Sequence, residues 1–261
     1  MGVSEVKIQT PRGLELAGSF VHPVDAGDAA VLFSHSFLSD RTSGGRFEKL
    51  ATMYRSLGYS TMMFDYSGHG ASDDAEIELD QQVEDLRAAS GWLVDQGCTR
   101  QLLHAHSFGT LAALKGRPKH VRTMFLTSPI LGPRYYDWNQ IFSQDQLEQI
   151  ENHQAAQVPD DSEGDRECFL VNQQTLVDLS LTPPEALAKG LEVPVFMAFD
   201  KEDAQLGLVE LATTAFPMFA DGSRIEVEGQ ATFSNPRDLP GLVELARNWA
   251  LQHLPAKRKA K

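Results

Sequence analysis

The order in which strand-like and helix-like patterns follow one another restricts this chain to few folds. Strand patterns at 6–10 and 14–21 are joined by the turn signal Pro11-Arg12-Gly13 and predict an antiparallel hairpin. Short apolar runs then alternate with helical periodicity. The runs at 29–34, 60–66, 101–106 and 122–127 have the character of strands buried on both faces. Between them, 47–57 has helical spacing and stops at Gly58, and 80–95 places Val83, Leu86, Ala89, Trp92 and Leu93 on one helical face. Another helix pattern covers 111–115. Such alternation predicts an α/β domain with a mainly parallel sheet covered on both faces.

The rhythm breaks from 132 to 189, where the aromatics Tyr135, Tyr136, Trp138 and Phe142 precede a helix pattern at 144–155 and the polar stretch 158–165. Such a segment is too long for a simple connection and is read as a lid inserted between sheet strands. Its aromatics serve either a small lid core or a substrate wall. The strand pattern resumes at 193–199, followed by a helix at 206–216, a strand at 224–228 and an amphipathic helix at 239–254. The expected organisation is one core made of 1–131 and 190–255, a lid of 132–189 and a solvated basic tail of 256–261.

Charge narrows the partners. A formal net charge of -13 over 261 residues argues against nucleic acid, whose binding depends on Lys and Arg neutralising phosphates, and more weakly against an anionic membrane surface. The chain shows neither a secretory leader pattern nor an apolar run long enough to span a bilayer, so a soluble, cytoplasmic protein is expected. Cys98 and Cys168 are too few for a disulfide framework or a zinc site. Neither a dinucleotide fingerprint nor a phosphate-binding glycine loop occurs at the required place, and no cofactor is expected.

The sharpest motif is Leu102-Leu103-His104-Ala105-His106-Ser107-Phe108-Gly109. A serine at a tight strand-to-helix turn has its hydroxyl exposed, and small residues two places before and after let neighbouring chain approach; Ala105 and Gly109 fill those places. Taken alone, Ser107 serves equally well as the cap of the helix that follows.

Three further stretches extend the pattern. They are Leu32-Phe33-Ser34-His35-Ser36-Phe37, the glycine loop from Phe64-Asp65-Tyr66 through Gly68-His69-Gly70 to Ser72, and Pro194-Val195-Phe196-Met197-Ala198-Phe199-Asp200-Lys201-Glu202-Asp203. With the elbow they resemble the α/β-hydrolase superfamily, in particular small lidded esterases and serine aminopeptidase-like hydrolases, over 6–131 and 193–254 and outside the lid. The resemblance implies an α/β-hydrolase fold with a mostly parallel eight-stranded sheet. It also implies Ser107 as nucleophile, Asp203 as the acid, and an oxyanion hole from the backbone amides of Phe37 and Phe108. Asp200, Glu202 and Asp203 are otherwise a solvated acidic turn.

The same resemblance exposes a gap. Its general base is a histidine after the last strand, and in Val227-Glu228-Gly229-Gln230-Ala231-Thr232-Phe233-Ser234 the matching position holds Thr232. Threonine cannot accept the serine proton. No histidine lies between His153 and His253. His104 and His106 share one side of a strand but lack an acidic or cysteine partner, so no metal is expected.

The expectation is therefore a carboxylic ester hydrolase type of protein with an incomplete triad, weak on simple esters. Its alternative is a non-catalytic relative that binds a small acyl ligand or a protein partner. His35, His106, Tyr135 and Trp138 are candidates for contacting the ligand. The acidic, aromatic insertion points away from strongly anionic substrates, and an exposed sheet or lid edge could serve a homodimer.

Overall fold

The computed structural model describes residues 2–162, 164–228, 233 and 239–257. The expected tail from Arg258 onward and Thr232 lie outside the described residues. The chain opens with β1 (Ser4–Gln9) and β2 (Glu15–Val21), which pair antiparallel. It continues through β3 (Ala29–Ser34), α1 (Arg46–Ser56), β4 (Ser60–Phe64), α2 (Leu79–Asp95), β5 (Arg100–His106), α3 (Phe108–Gly116) and β6 (Val121–Thr127).

After an excursion, β9 (Val195–Asp200), α7 (Lys201–Gln205), α8 (Leu208–Ala215), β10 (Arg224–Glu228) and α9 (Leu239–His253) complete the core. The excursion holds α4 (Gln144–Glu151), β7 (Ala156–Pro159), β8 (Cys168–Val171), α5 (Gln173–Leu181) and α6 (Pro184–Ala188).

Eight of the described strands form one sheet in the order β1-β2-β4-β3-β5-β6-β9-β10. From β4 through β10 every neighbouring pair is parallel, as the βα alternation predicts. The two-residue period of a strand explains why both faces need covers. In β3, Ala30 and Leu32 enter a core with Leu79, Leu86 and Leu93 of α2 and Leu111 and Leu114 of α3, while Val31 and Phe33 enter a second core with Phe47 and Tyr54 of α1 and Leu242 and Trp249 of α9. The Trp249 indole donates to Thr123 Oγ1 at 2.9 Å, and the Tyr59 hydroxyl lies 3.1 Å from the Ala250 carbonyl and 2.7 Å from that of Leu254.

The structure differs from the sequence reading chiefly between 132 and 189. The helix expected over 144–155 ends at Glu151, and β7 and β8 form a two-stranded antiparallel sheet that periodicity could not reveal. The helix expected over 206–216 begins only at Leu208, because Gly207 at φ 77° separates it from α7.

The excursion is stitched to the segment after β4. Arg166 donates from Nε to the Gly70 carbonyl, from Nη2 to that of Ser72 and from Nη1 to Asp74. The Ile77 amide donates to the Leu170 carbonyl, and the Leu79 amide to Asp178 Oδ2. Among the described residues no helix is long and apolar enough to cross a membrane.

Candidate active site

The C-terminal ends of β5, β6 and β9 lie side by side, and each strand is followed at once by a polar residue. After β5 comes Ser107, at φ 50° and ψ -120°. This is a costly backbone for a residue with a Cβ, and such strain persists only where surrounding structure holds it. Here the Ser107 amide donates to the Thr127 carbonyl at 2.9 Å, and Thr110 Oγ1 donates to the Ser107 carbonyl at 2.6 Å. Gly109 is required at the corner, since a Cβ there would lie 2.3 Å from the His35 carbonyl oxygen and 2.5 Å from that of Ser34. The Ser107 side chain therefore does not act as a helix cap, and the α3 N-terminus has no side-chain cap.

After β6 comes Ser128, whose Oγ donates to Asp203 Oδ2 at 2.8 Å. At the end of β9, Asp200 caps α7: its Oδ1 accepts the amides of Glu202 and Asp203, and its Oδ2 accepts the Phe233 amide at 2.7 Å. Asp203 Oδ2 reciprocates by accepting the Asp200 amide at 3.0 Å. Asp200 and Asp203 are both buried, so the solvated-turn alternative fails for these two and holds only for Glu202, which is exposed. Burial is the main cause that pushes the Asp203 carboxyl up to about 6, opposed by its hydrogen bonds from Asp200 and Ser128.

These residues line a cavity of about 320 Å³ together with His106, Phe37, Arg46, Arg134, Tyr136, Trp138 and Phe233. A larger, open groove of about 700 Å³ adjoins it and shares Arg134, Tyr136 and Trp138, but Ser107 does not line it. Neither the Phe37 nor the Phe108 amide donates a hydrogen bond within the described residues.

The candidate contacts divide. Trp138 and His106 line the Ser107 cavity. Tyr135 does not; it is 88% exposed and lines the neighbouring groove. His35 is also absent from the cavity wall: its Nε2 accepts the Tyr66 amide, so its Nδ1 proton goes to the Ser36 carbonyl and both ring nitrogens are occupied. A buried imidazole satisfied in this way has nothing left for a ligand.

His106 keeps one nitrogen open. Thr127 Oγ1 donates to the Ala105 carbonyl and hence accepts from His106 Nδ1 at 2.9 Å, which leaves the lone pair on Nε2. Burial first, then the nearby Arg46 charge, hold this ring well below the usual imidazole range, so it stays neutral. His104, on the same side of β5, sits among Phe33, Phe47 and Phe125 with Nδ1 against the Tyr54 hydroxyl, and burial pushes it down to about 3. Among the described residues Ser107 Oγ makes no hydrogen bond to any imidazole, and no group of His, Cys, Asp and Glu is arranged to hold a metal. Ser128, Arg46 and Arg134 were not foreseen. Only Ser128 left a signal, as the polar residue that ends the strand beside the one carrying Ser107.

The sequence profile of the hydrolase family described as serine aminopeptidase, S33, matches residues 26–176. The chain belongs to that family. The match runs into the insertion, which corrects the expectation that the resemblance omits it, and it stops before β9.

Solved structures show that this S33 family member has the α/β-hydrolase fold. DcsB, solved with its substrate analogue, superposes with a TM-score of 0.78 at 16% identity, covering 97% of this chain and 99% of that one. The α/β hydrolase GrgF from Penicillium sp. sh18 gives 0.75 at 16% identity, with 97% and 99% covered. The Pyrococcus furiosus esterase PF2001 gives 0.71 at 17% identity, with 97% and 90% covered. No curated protein matches the S33 member's sequence.

Proposed function

We propose that this S33 family member is a serine hydrolase-type protein that acts on a carboxylic ester or related acyl substrate through Ser107, with turnover held low by the threonine at position 232. The observation that carries this reading is the Ser107 backbone, held at φ 50° on the wall of a cavity that Phe37 also lines, with the Phe37 and Phe108 amides donating to nothing among the described residues. Ser107 Oγ adds to the carbonyl carbon, and the Phe37 and Phe108 amides receive the charge that develops on the carbonyl oxygen, each such donor being worth about 3 kcal/mol. The alcohol then leaves with a proton, and water hydrolyses the acyl-serine. In this reading Asp203, which lines the cavity, is the acid that would orient an imidazole, and the excursion over 132–189, whose Tyr136 and Trp138 line the cavity too, is its lid.

The step that lacks a partner is the removal of the Ser107 proton. His106 is neutral but a poor base, so the acceptor is solvent, and the rate of acylation rises with hydroxide concentration without an inflection near neutral pH. Measuring the pH profile with an activated ester tests this. A plateau above pH 7 that Ser107→Ala abolishes would show a working base and refute the weakened triad. Thr232→His should raise kcat/KM by about 100-fold or more and introduce that inflection; no gain in a folded variant refutes the assignment of position 232.

The alternative is a non-catalytic relative that binds a small acyl ligand. It is favoured by the absence, among the described residues, of a hydrogen bond from Ser107 Oγ to an imidazole and by the engagement of Asp203 with Ser128. Stoichiometric labelling at Ser107 by a fluorophosphonate supports the hydrolase; failure to label an intact fold supports the binder.

A further inference from the structure

Arg46 is the first residue of α1 and lines both the Ser107 cavity and a smaller one beside Ser43, Lys49 and Leu239; its Nε and Nη1 are buried and have no hydrogen-bond partner among the described residues. A guanidinium cannot shed its charge, and leaving its donors desolvated without hydrogen bonds is costly. Asp200 and Asp203, on the same cavity wall, act on Arg46 by charge but give it no hydrogen bond, and three of their four oxygens are taken by the amides of Glu202, Asp203, Phe233 and Asp200 and by the Ser128 hydroxyl. Neither Arg46 nor Arg134 forms an ion pair among the described residues. Arg134 lines the same cavity, with its guanidinium 4.8 Å from the centre of the Tyr136 ring.

We propose that the cavity takes an acyl compound bearing a second, ionised carboxylate, which Arg46 binds while the reacting carbonyl faces Ser107. The guanidinium of Arg46, on the cavity wall and in no ion pair among the described residues, carries the assignment, and Arg134 adds charge from the side of the insertion. A monoanion fits better than a phosphate dianion, because Asp200, Glu202 and Asp203 on the same wall and the net charge of -13 repel each added negative charge. The remaining wall, with Ile130, Leu179 and Leu208, suits a short methylene chain between the two carbonyl groups. This inference rests on the reading of the cavity as an acyl site, but not on turnover.

The test uses Ser107→Ala protein and calorimetry with two probes, monomethyl glutarate and dimethyl glutarate, which differ by one ionised carboxylate. The half-ester should bind at least about tenfold more tightly, and Arg46→Met should remove that preference while leaving the diester's affinity in place. Circular dichroism melting shows whether the variant is folded, and Arg46→Gln provides a second variant of closer polarity. Equal binding of the two esters, binding of neither, a preference unchanged in folded Arg46→Met or Arg46→Gln, or equal competition by inorganic phosphate each overturns the proposal. If fluorophosphonate fails to label the unmodified protein while the half-ester preference holds, the hydrolase reading falls and the carboxylate site stands.

Discussion

Ser107 and Asp203 each hold a conformation or a charge state that the fold alone would not choose. A non-glycine residue at positive φ of this kind costs about 1–3 kcal/mol, so Ser107→Gly should stabilise the protein by about 1 kcal/mol, measured as a higher midpoint in chemical denaturation. For Asp203 the sign follows from protons. Its pKa is raised from 3.8 to about 6, so over that interval the folded protein holds a proton that the unfolded chain has released. Stability therefore falls as pH rises from about 3.8 to about 6 and stays lowered above it.

Asparagine keeps an oxygen to accept from Ser128 and the Asp200 amide without bringing a buried charge. Asp203→Asn should accordingly be the more stable protein at pH 8, by roughly 2–3 kcal/mol, with the difference fading below pH about 4. A difference independent of pH would show that the carboxyl is not strained by burial.

At the scale of elements, Val171, Leu179 and Leu187 tie the insertion into the core beneath the sheet, while its outer part around Arg166 is held by hydrogen bonds to the segment after β4. Arg166→Ala removes three of them at once, and the expected outcome is faster proteolysis within 156–171 with a melting temperature close to that of the parent, read by limited digestion and mass spectrometry. The opposite result, cooperative loss of the whole fold, would make the insertion part of one unit with the core.

The inner strands β3, β4, β5, β6 and β9 were legible because each is a short apolar run with its own boundary signal, and β1 and β10 because polar and apolar residues alternate in them. β7 and β8 were not: each has four residues, β7 ends in Pro159, and they pair only with each other, so their existence is decided by contact rather than by pattern. The site divides likewise. Ser107 could be read because its chemistry is set by the residues beside it in the chain, whereas Arg46, Ser128 and Arg134 meet it only after α1, β6 and the insertion have packed. His35 misled because its motif position says nothing of the Tyr66 amide that occupies its ring.

For the whole molecule, the net charge of -13 acts on any anion long before Arg46 does. Raising salt from about 0.01 M to 0.15 M shortens the screening length from about 30 Å to 8 Å and should raise the association rate of the half-ester, while the contact inside the cavity is screened much less. Stopped-flow measurement at two ionic strengths reads this, and an unchanged rate would mean that the field at the cavity mouth is set by its own arginines.

The placement of α9 has a different consequence, for how the protein is made. Tyr59 meets its partners on α9 and just beyond it across separations of 191 and 195 residues, and Leu242 and Trp249 cover a face that also holds Phe125 and Phe196. During vectorial synthesis this half of the sheet stays bare until residues 239–253 have cleared the ribosome, however early the β3-to-β6 region has folded. A nascent chain paused before α9 therefore exposes apolar surface that α9 later covers.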